Sequence, residues 1–121
     1  MNTSKRKGLH YEEQAKSYLL KQGLVSLQQN YHSRFGEIDL IMLDGDMLCF
    51  IEVKFRRSTG FGGAANSISY LKQQKIIKTA QIFINQDRKH SRYAMRFDAL
   101  MLQQTGEDIS IDWIQNAFYA E

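Results

Sequence analysis

Three ionisable side chains on either side of a short turn have the clearest capacity for chemistry in this sequence. Asp39 belongs to an apolar segment before the turn, and Glu52 and Lys54 belong to an apolar segment after it. Residues two apart on a strand share a face, so Glu52 and Lys54 are predicted to point the same way. Burial of two carboxylates without a partner costs several kcal/mol, so a cation, a shared proton or Lys54 must neutralise them.

This group of side chains is typical of metal-assisted hydrolysis. Two carboxylates on neighbouring strands suit Mg²⁺ or Mn²⁺, hard ions that take oxygen ligands and are commonly completed by water and a substrate phosphate. A bound ion would lower the pKa of an attacking water, and Lys54 would orient or deprotonate that water or stabilise charge on phosphorus. The sequence therefore predicts a phosphodiesterase in which Asp39, Glu52 and Lys54 are catalytic and the two carboxylates bind the metal. A structural salt bridge is the competing interpretation, because Glu-x-Lys is a common pattern by chance.

The Asp44-Gly45 pair between two apolar runs is the strongest short-range signal for a β-hairpin in the chain. A two-residue turn formed by this pair predicts a register in which Asp39 lies opposite Phe50. Asp39 would then lie diagonal to Glu52, on the face that also carries Lys54. The three ionisable groups are therefore expected to converge on one side of the hairpin.

Hydrophobic periodicity and turn residues predict seven elements in the order αβββαββ. Both hairpin strands are apolar on each side, which favours an α/β fold with a mixed central sheet flanked by helices. One domain is expected over residues 1–121, with a flexible basic tail at 1–7. The predicted helices are 8–22 and 67–86, the second capped by Asn66 or Ser67, and the predicted strands are Leu24–Tyr31, 37–43, 46–55, 93–98 and 109–113, with a mobile basic loop at 56–66.

Charge is distributed unevenly along the chain, whose net charge is +3. Residues 37–52 carry five acids and no base, whereas the segments 1–36 and 53–96 are basic. Basic flanks attract phosphate, and a central group of carboxylates repels it unless a cation intervenes. Ordinary solvated helix faces would give the same counts. The basic residues nearest the carboxylates are candidates for contacts with a nucleic-acid backbone, and two aromatic residues are candidates for base stacking. The basic candidates are Arg56, Arg57, Lys72 and Lys75, and the aromatic ones are Phe61 and Tyr70.

The sequence argues against several other classes of protein. Its longest apolar stretch, Met47–Ile51, is far short of the roughly 20 residues that a membrane-spanning helix needs. No secretory signal is recognisable after residues 1–7, so a cytoplasmic location is expected. Cys49 and three histidines are too few for a structural zinc site. Trp113 lies in an alternating apolar segment and is expected in the core.

Taken in order, these residues resemble the PD-(D/E)XK nuclease superfamily, whose core hairpin carries an acid on one strand and Glu-x-Lys on the next. The chain is more closely similar to the YraN-like family of small bacterial proteins, which in turn are similar to archaeal Holliday-junction resolvases. The similarity runs nearly from end to end. The motifs that carry it are Gly8-x-x-x-Glu12-x-x-Ala15, Asn30-Tyr31, Gly36-Glu37-Ile38-Asp39-Leu40-Ile41, Phe50-Ile51-Glu52-Val53-Lys54 with Arg56, Phe61-Gly62, Lys72, Arg96-Phe97-Asp98 and Asn116-Ala117-Phe118.

The resemblance implies a restriction-endonuclease-like core and a metal-dependent nuclease that acts on DNA, including branched or flapped DNA. In such a protein Asp39 and Glu52 hold the ion and Lys54 is catalytic. Glu12 matches the first-helix acid that often completes the metal site, and a solvated helix position is the alternative for it. Glu37 would be an outer-shell ligand or, equally, an exposed acid where its strand begins.

Two other functions stay open from the sequence. The chain could be a catalytically silent nucleic-acid-binding module that keeps the nuclease fold, or a subunit whose basic surface meets an acidic protein. A homodimer would suit paired cuts in a branched duplex.

One residue departs from the family pattern: Phe55 stands where Thr or Ser is usual, and it is expected to pack under the second helix.

Overall fold

A computed structural model of the chain describes residues 3–57 and 68–120, and the side chains from His10 to Arg56 and from Ile68 to Ala120. The predicted order αβββαββ is confirmed, with a short 3₁₀ helix before the fourth strand. The helices are α1 (Thr3–Lys21) and α2 (Tyr70–Gln86), and the 3₁₀ helix is Arg88–His90. The strands are β1 (Val25–Ser33), β2 (Gly36–Asp44), β3 (Met47–Arg57), β4 (Ala94–Thr105) and β5 (Asp108–Phe118).

The five strands form one mixed sheet in the order β1-β2-β3-β4-β5. β3 and β4 are parallel, and every other neighbouring pair is antiparallel. Parallel neighbours need a long crossover connection, and α2 lies in the segment that joins β3 to β4. The predicted α/β class with a mixed central sheet is therefore confirmed. No helix within the described ranges is long and apolar enough to cross a membrane.

The helices cover the two faces of the sheet, because the central strands are apolar on both sides. Along β3, Leu48 and Phe50 pack in one buried cluster with α2 residues such as Phe83. Cys49 and Ile51, which point the other way, pack in a second cluster with Ala15 and Leu19 of α1 and with apolar residues of β2 and β4. This two-sided burial explains the continuous apolar runs in the sequence.

The first helix is longer than predicted. It begins at Thr3 rather than at residue 8, so the predicted start of this helix is wrong. Lys and Arg are good helix formers and no proline interrupts the segment, so the helical pattern continues through a stretch without apolar residues. Periodicity alone could not show this, because it depends on apolar positions.

The boundaries around the basic loop also differ from the prediction. β3 runs through Arg57, so the predicted loop at 56–66 begins later than expected, and residues 58–67 lie outside the described part of the chain. The N-cap of α2 is Ser69, whose side chain accepts a hydrogen bond from the backbone N–H of Lys72. The two predicted caps, Asn66 and Ser67, lie outside the described residues.

The hairpin register is the clearest error of the sequence prediction. Asp44 pairs with Met47, so Gly45 and Asp46 form the turn, with Gly45 in the left-handed region at a φ of 62°. The predicted register placed the turn one residue earlier and shifted every cross-strand pair by two positions. A shift of two leaves each side chain on its predicted face but changes its partner.

Candidate active site

The candidate site lies where β2 and β3 separate. Their pairing runs from the turn to Leu40 opposite Ile51, and Asp39 and Glu52 are the next residue on each strand. Asp39 is therefore beside Glu52 rather than opposite Phe50 as predicted. Beyond this point the backbone N–H of Val53 donates to Asp39 Oδ2 at 2.8 Å. The Asp39 carboxylate thus accepts the N–H that a backbone carbonyl of β2 would otherwise accept. We call the point beyond Leu40 and Ile51, where the two strands stop pairing, the strand fork, and Asp39 and Glu52 lie in it.

Asp39 and Glu52 form a buried carboxylate pair, with relative exposures of 8% and 7%. Burial, a hydrogen bond with Glu52 and the negative charge of Glu52 raise the pKa of Asp39 to about 8, although the Val53 N–H and Lys72 act in the opposite direction. Near neutral pH the pair therefore retains a proton. A shared proton was one of the three neutralising partners that the sequence allowed.

Lys72 of α2 supplies a cation to the same pair. Its Nζ lies 3.2 Å from Glu52 Oε2, an ion-pair contact without hydrogen-bond alignment. Burial works against the charged form of Lys72, but the interaction with Glu52 and the negative charges of Asp39 and Glu37 together outweigh it and raise the pKa of the lysine. Lys72 also lies in the first turn of α2, where the helix dipole disfavours a cation. The sequence prediction assigned Lys72 to a phosphate, and the structure brings it to a carboxylate.

Glu12 approaches the site from α1, on the other side of the sheet. Burial, followed by the negative charges of Asp39 and Glu37, raises the pKa of Glu12 to about 7, and a hydrogen bond with Asn30 partly opposes the shift. Glu12 Oε1 is buried and has no hydrogen-bond partner among the described residues. Glu12 is therefore not a solvated helix position. The sequence prediction assigned no role to Asn30, whose φ of 52° marks an irregular point in β1.

The donor set of this site suits a hard divalent cation. The two buried carboxylates could supply oxygen ligands, and one oxygen of Glu12 is buried without a hydrogen-bond partner among the described residues. No group of three or more His, Cys, Asp or Glu side chains in the described ranges is arranged to hold a metal by itself. Mg²⁺ commonly binds one or two carboxylates and keeps several waters, so the pair of Asp39 and Glu52 fits such an ion.

The basic residues predicted for the site differ in how exposed their side chains are. Lys54 lies two residues after Glu52 on β3 and is half-buried. Arg56 is half-buried too, and its Nη2 donates to Gln103 Oε1 at 3.4 Å, so part of its guanidinium is used within the sheet. Lys75 is exposed on α2. The side chain of Arg57 lies outside the described part of the chain.

Glu37 and two aromatic candidates lie at the margin of the site. The Glu37 side chain is 45% exposed, and its Oε2 lies 3.3 Å from His32 Nδ1, which matches the exposed acid of the two predicted alternatives. Tyr70 is 75% exposed at the first residue of α2. Phe61 lies outside the described residues.

Phe55 contradicts its predicted position. Its ring stacks on Tyr11 of α1 with centroids 3.5 Å apart, so it packs under the first helix and not the second. Strand alternation explains this result, because Phe55 shares a face with Ile51 and Val53, and that face is covered by α1. The residue leaves the carboxylate pair untouched.

Comparison with known proteins places the chain in a bacterial family. A family profile described as "Uncharacterised protein family UPF0102" matches residues 11–102. The chain belongs to this family. It is 46% identical to a UPF0102 protein of Vibrio parahaemolyticus over 94% of this chain and 93% of the relative. It is 47% identical to one from Methylobacillus flagellatus over 96% and 99%, and 41% identical to one from Stutzerimonas stutzeri over 98% of each. The match agrees with the YraN-like resemblance, and these names state no activity.

This UPF0102 chain has a second buried charged group, which the sequence prediction missed. Asp98 of β4 is fully buried and accepts hydrogen bonds from Arg96 Nε at 2.9 Å, Trp113 Nε1 at 3.0 Å and the backbone N–H of Asn116 at 3.1 Å. Arg96 Nη2 also lies 3.0 Å from Asp44 Oδ2. The spacing of Arg96 and Asp98 was the available signal, since residues two apart on a strand share a face. Trp113, which was expected in the core, is partly buried and packs against it.

Proposed function

We propose that this chain is a Mg²⁺- or Mn²⁺-dependent endonuclease that hydrolyses phosphodiester bonds in DNA, with branched or flapped DNA as the preferred form. The observation that carries the proposal is the buried pair of Asp39 and Glu52 in the strand fork, where burial and the neighbouring Glu52 raise the pKa of Asp39. Buried, perturbed carboxylates in a polar fork are enriched at functional sites. A cytoplasmic location and a homodimer belong to the same proposal.

Each residue of the site has a distinct role in the proposed reaction. Asp39 and Glu52 would hold the ion, which when bound would supply Lewis-acid activation of phosphate and water. The Val53 N–H keeps the Asp39 carboxylate oriented into the fork. Lys54, two residues beyond Glu52, would orient the attacking water through its Nζ or stabilise the charge that develops on the phosphate oxygens. Lys72 balances part of the Glu52 charge and would be released towards phosphate once the carboxylates bind a cation.

A catalytically silent nucleic-acid-binding module is the second candidate. One observation favours it: no group of three carboxylate, histidine or cysteine ligands for a metal is assembled among residues 3–57 and 68–120. Such a module would keep the basic surface and bind DNA without cutting it. The two candidates differ in a single measurable property, which is turnover that depends on the fork carboxylates.

The deciding experiment compares cleavage of linear, flapped and four-way DNA by the parent protein and by Glu52→Ala and Lys54→Ala proteins, with Mg²⁺ or Mn²⁺. Both variants are expected to lose at least about 100-fold in rate, because each removes a group that acts at the reacting phosphate. Asp112→Asn is the matched control, since Asp112 is an exposed carboxylate on β5. Equal cleavage by all four proteins would show a contaminating nuclease. Metal-dependent DNA binding without any cleavage would favour the silent module.

A further inference from the structure

The turn between β1 and β2 is docked against α2 by side-chain contacts. The hydroxyl oxygens of Ser33 and Thr79 are 2.8 Å apart, and Ser33 Oγ also accepts the backbone N–H of Phe35 at 3.1 Å. A Cβ added at Gly36 would lie 3.3 Å from Lys75 Cβ, so backbone and helix approach closely at this point. The side chains of this turn therefore have a fixed position relative to α2.

Within this turn one aromatic ring is approached by two cations. The guanidinium carbon of Arg34 lies 4.9 Å from the centroid of the Phe35 ring, and Lys78 Nζ lies 5.3 Å from it. Arg34 and Lys78 are both exposed. Cations within about 6 Å of a ring are attracted to its face, but two like charges near one ring also repel each other.

In the part of the chain that the structure describes, no acidic side chain forms an ion pair that would relieve this repulsion. Among the described residues no Asp or Glu lies within ion-pair distance of Arg34, Lys75 or Lys78. Lys72, on the same helix, differs because it contacts Glu52. Positions 72, 75 and 78 are three apart, so neighbouring lysines lie one turn from each other along α2. The basic surface of Arg34, Lys75 and Lys78 therefore begins next to the carboxylate fork and continues to the β1–β2 turn without an internal counter-ion.

We propose that Arg34, Lys75 and Lys78, with Phe35 holding two of them in place, form a binding surface for the phosphate backbone of the nucleic acid. This inference rests on the proposed function and specifies how the substrate is held. Phe35 is four residues before Asp39, so the turn lies at most about 13 Å from the fork along β2. A duplex rises about 3.4 Å per base pair, so the surface would contact phosphates within about four base pairs of the scissile bond. A regular polyanion fits a cluster of exposed cations with no ion-paired acid among the described residues better than a folded acidic protein does.

The test measures how binding depends on salt. A labelled four-way DNA junction is titrated with the full chain in EDTA, at several salt concentrations, and binding is followed by fluorescence anisotropy. Arg34→Gln/Lys78→Gln is compared with Lys21→Gln/Arg92→Gln, a control that removes one Lys and one Arg from exposed positions elsewhere. The first double variant is expected to bind at least about tenfold more weakly and to lower the slope of log K against log salt by about two. The control is expected to change both quantities by much less.

A third variant tests the role of the ring itself. Phe35→Leu keeps every charge but removes the aromatic face, so it is expected to weaken binding about threefold with an unchanged salt slope. A general electrostatic effect would not produce that combination. Thermal unfolding of each variant verifies that it is folded.

Several results would overturn the inference. These are an unchanged salt slope in Arg34→Gln/Lys78→Gln, an equal loss in the control pair, and competition by polyglutamate as strong as that by DNA, which would assign the surface to an acidic protein. Mn²⁺ titration of the same proteins separates this failure from that of the proposed function. The double variant is expected to bind Mn²⁺ as the parent does, whereas Mn²⁺ binding that is absent or insensitive to Asp39→Asn would overturn the metal site alone.

Discussion

Two groups of buried carboxylates lie in the same sheet and are neutralised in different ways. Asp98 is fully buried, and its oxygens receive donors from Arg96, Trp113 and the backbone. Asp39 and Glu52 are almost as deeply buried, yet they face each other, and Lys72 Nζ lies 3.2 Å from Glu52 Oε2. The first group is satisfied by a cation and several N–H donors, whereas the second depends on a retained proton and a lysine.

This difference separates a structural group from a candidate functional one. A buried charge with a cation and several N–H donors is strongly destabilising to disrupt, because removing one partner leaves the other uncompensated. Two adjacent carboxylates instead cost folding free energy, and such a cost is commonly retained where a ligand needs the charge. The same residue type at similar depth therefore predicts opposite responses to substitution.

The largest expected effect is on stability at the Asp98 group. Asp98→Ala leaves Arg96 buried beside a partly exposed Asp44, so we expect the free energy of unfolding to fall by about 3–5 kcal/mol. Urea unfolding followed by circular dichroism measures this change. Asp39→Asn, which replaces a largely protonated carboxyl group by a neutral amide, is expected to leave stability at pH 7 nearly unchanged. A similar loss in both variants would abolish the distinction between the two groups.

The sequence predicted the elements and faces of the carboxylate fork but not its register. The order of elements, the mixed sheet and the placement of Asp39 and Glu52 on one face of the hairpin followed from periodicity, turn residues and strand alternation. The exact register did not follow, because Asp44-Gly45 can occupy two positions in a tight turn and the flanking apolar runs fit both. The predicted face of each side chain was nevertheless correct, because the register shifted by an even number of residues.

Contacts between the helices and the sheet could not be predicted from the sequence. Lys72 is twenty positions from Glu52, and its place on α2 suggested an exposed phosphate contact rather than an ion pair. Phe55 was assigned to the wrong helix for a related reason: alternation predicts which face a residue takes, but not which helix covers that face. Asn30 could be identified only from its backbone conformation and its hydrogen bond with Glu12.

The second prediction concerns how the free energy of unfolding depends on pH through Asp39. The pKa of Asp39 is raised from 3.8 to about 8, so between these values the folded chain holds a proton that the unfolded chain releases. Stability linked to this group is therefore fully present below about pH 4 and is lost as the pH rises through 8. We expect the free energy of unfolding of the parent to fall by about 1 kcal/mol or more from pH 6 to pH 8, measured by urea unfolding.

Two variants and added Mn²⁺ test whether Asp39 is the group responsible for this pH dependence. Asp39→Asn is expected to remove most of this pH dependence, whereas the exposed Asp112→Asn keeps it. Mn²⁺ is expected to stabilise the parent more at pH 8 than at pH 6, because the ion binds the deprotonated carboxylates and competes with their proton. A pH dependence that persists in Asp39→Asn would place the responsible group outside the fork.

The third prediction tests Lys72 as a counter-ion that a metal replaces. Lys72→Met removes a positive charge 3.2 Å from a proposed ligand, so we expect Mn²⁺ to bind about tenfold more tightly at pH 9, where the carboxylates are largely deprotonated. Calorimetry on the two proteins measures the change. Lys75→Met is the control, because Lys75 is an exposed lysine one turn further along α2 with no carboxylate in ion-pair distance among the described residues. Weaker Mn²⁺ binding in Lys72→Met would show that the lysine supports the ligand geometry instead of competing with the ion.

The smallest expected effect distinguishes the edge of the fork from its centre. Glu12 approaches from α1, and its pKa of about 7 depends first on burial and then on the charges of Asp39 and Glu37. Glu12→Gln is therefore expected to weaken Mn²⁺ binding only about threefold, because it removes a nearby negative charge and leaves the Asp39 and Glu52 pair intact. Asp39→Asn removes a proposed ligand and should abolish measurable binding in the same titration. If Glu12→Gln were as severe as Asp39→Asn, the metal would be held by three carboxylates from both faces of the sheet. The strand fork would then have to close around the ion, bringing α1 towards β3.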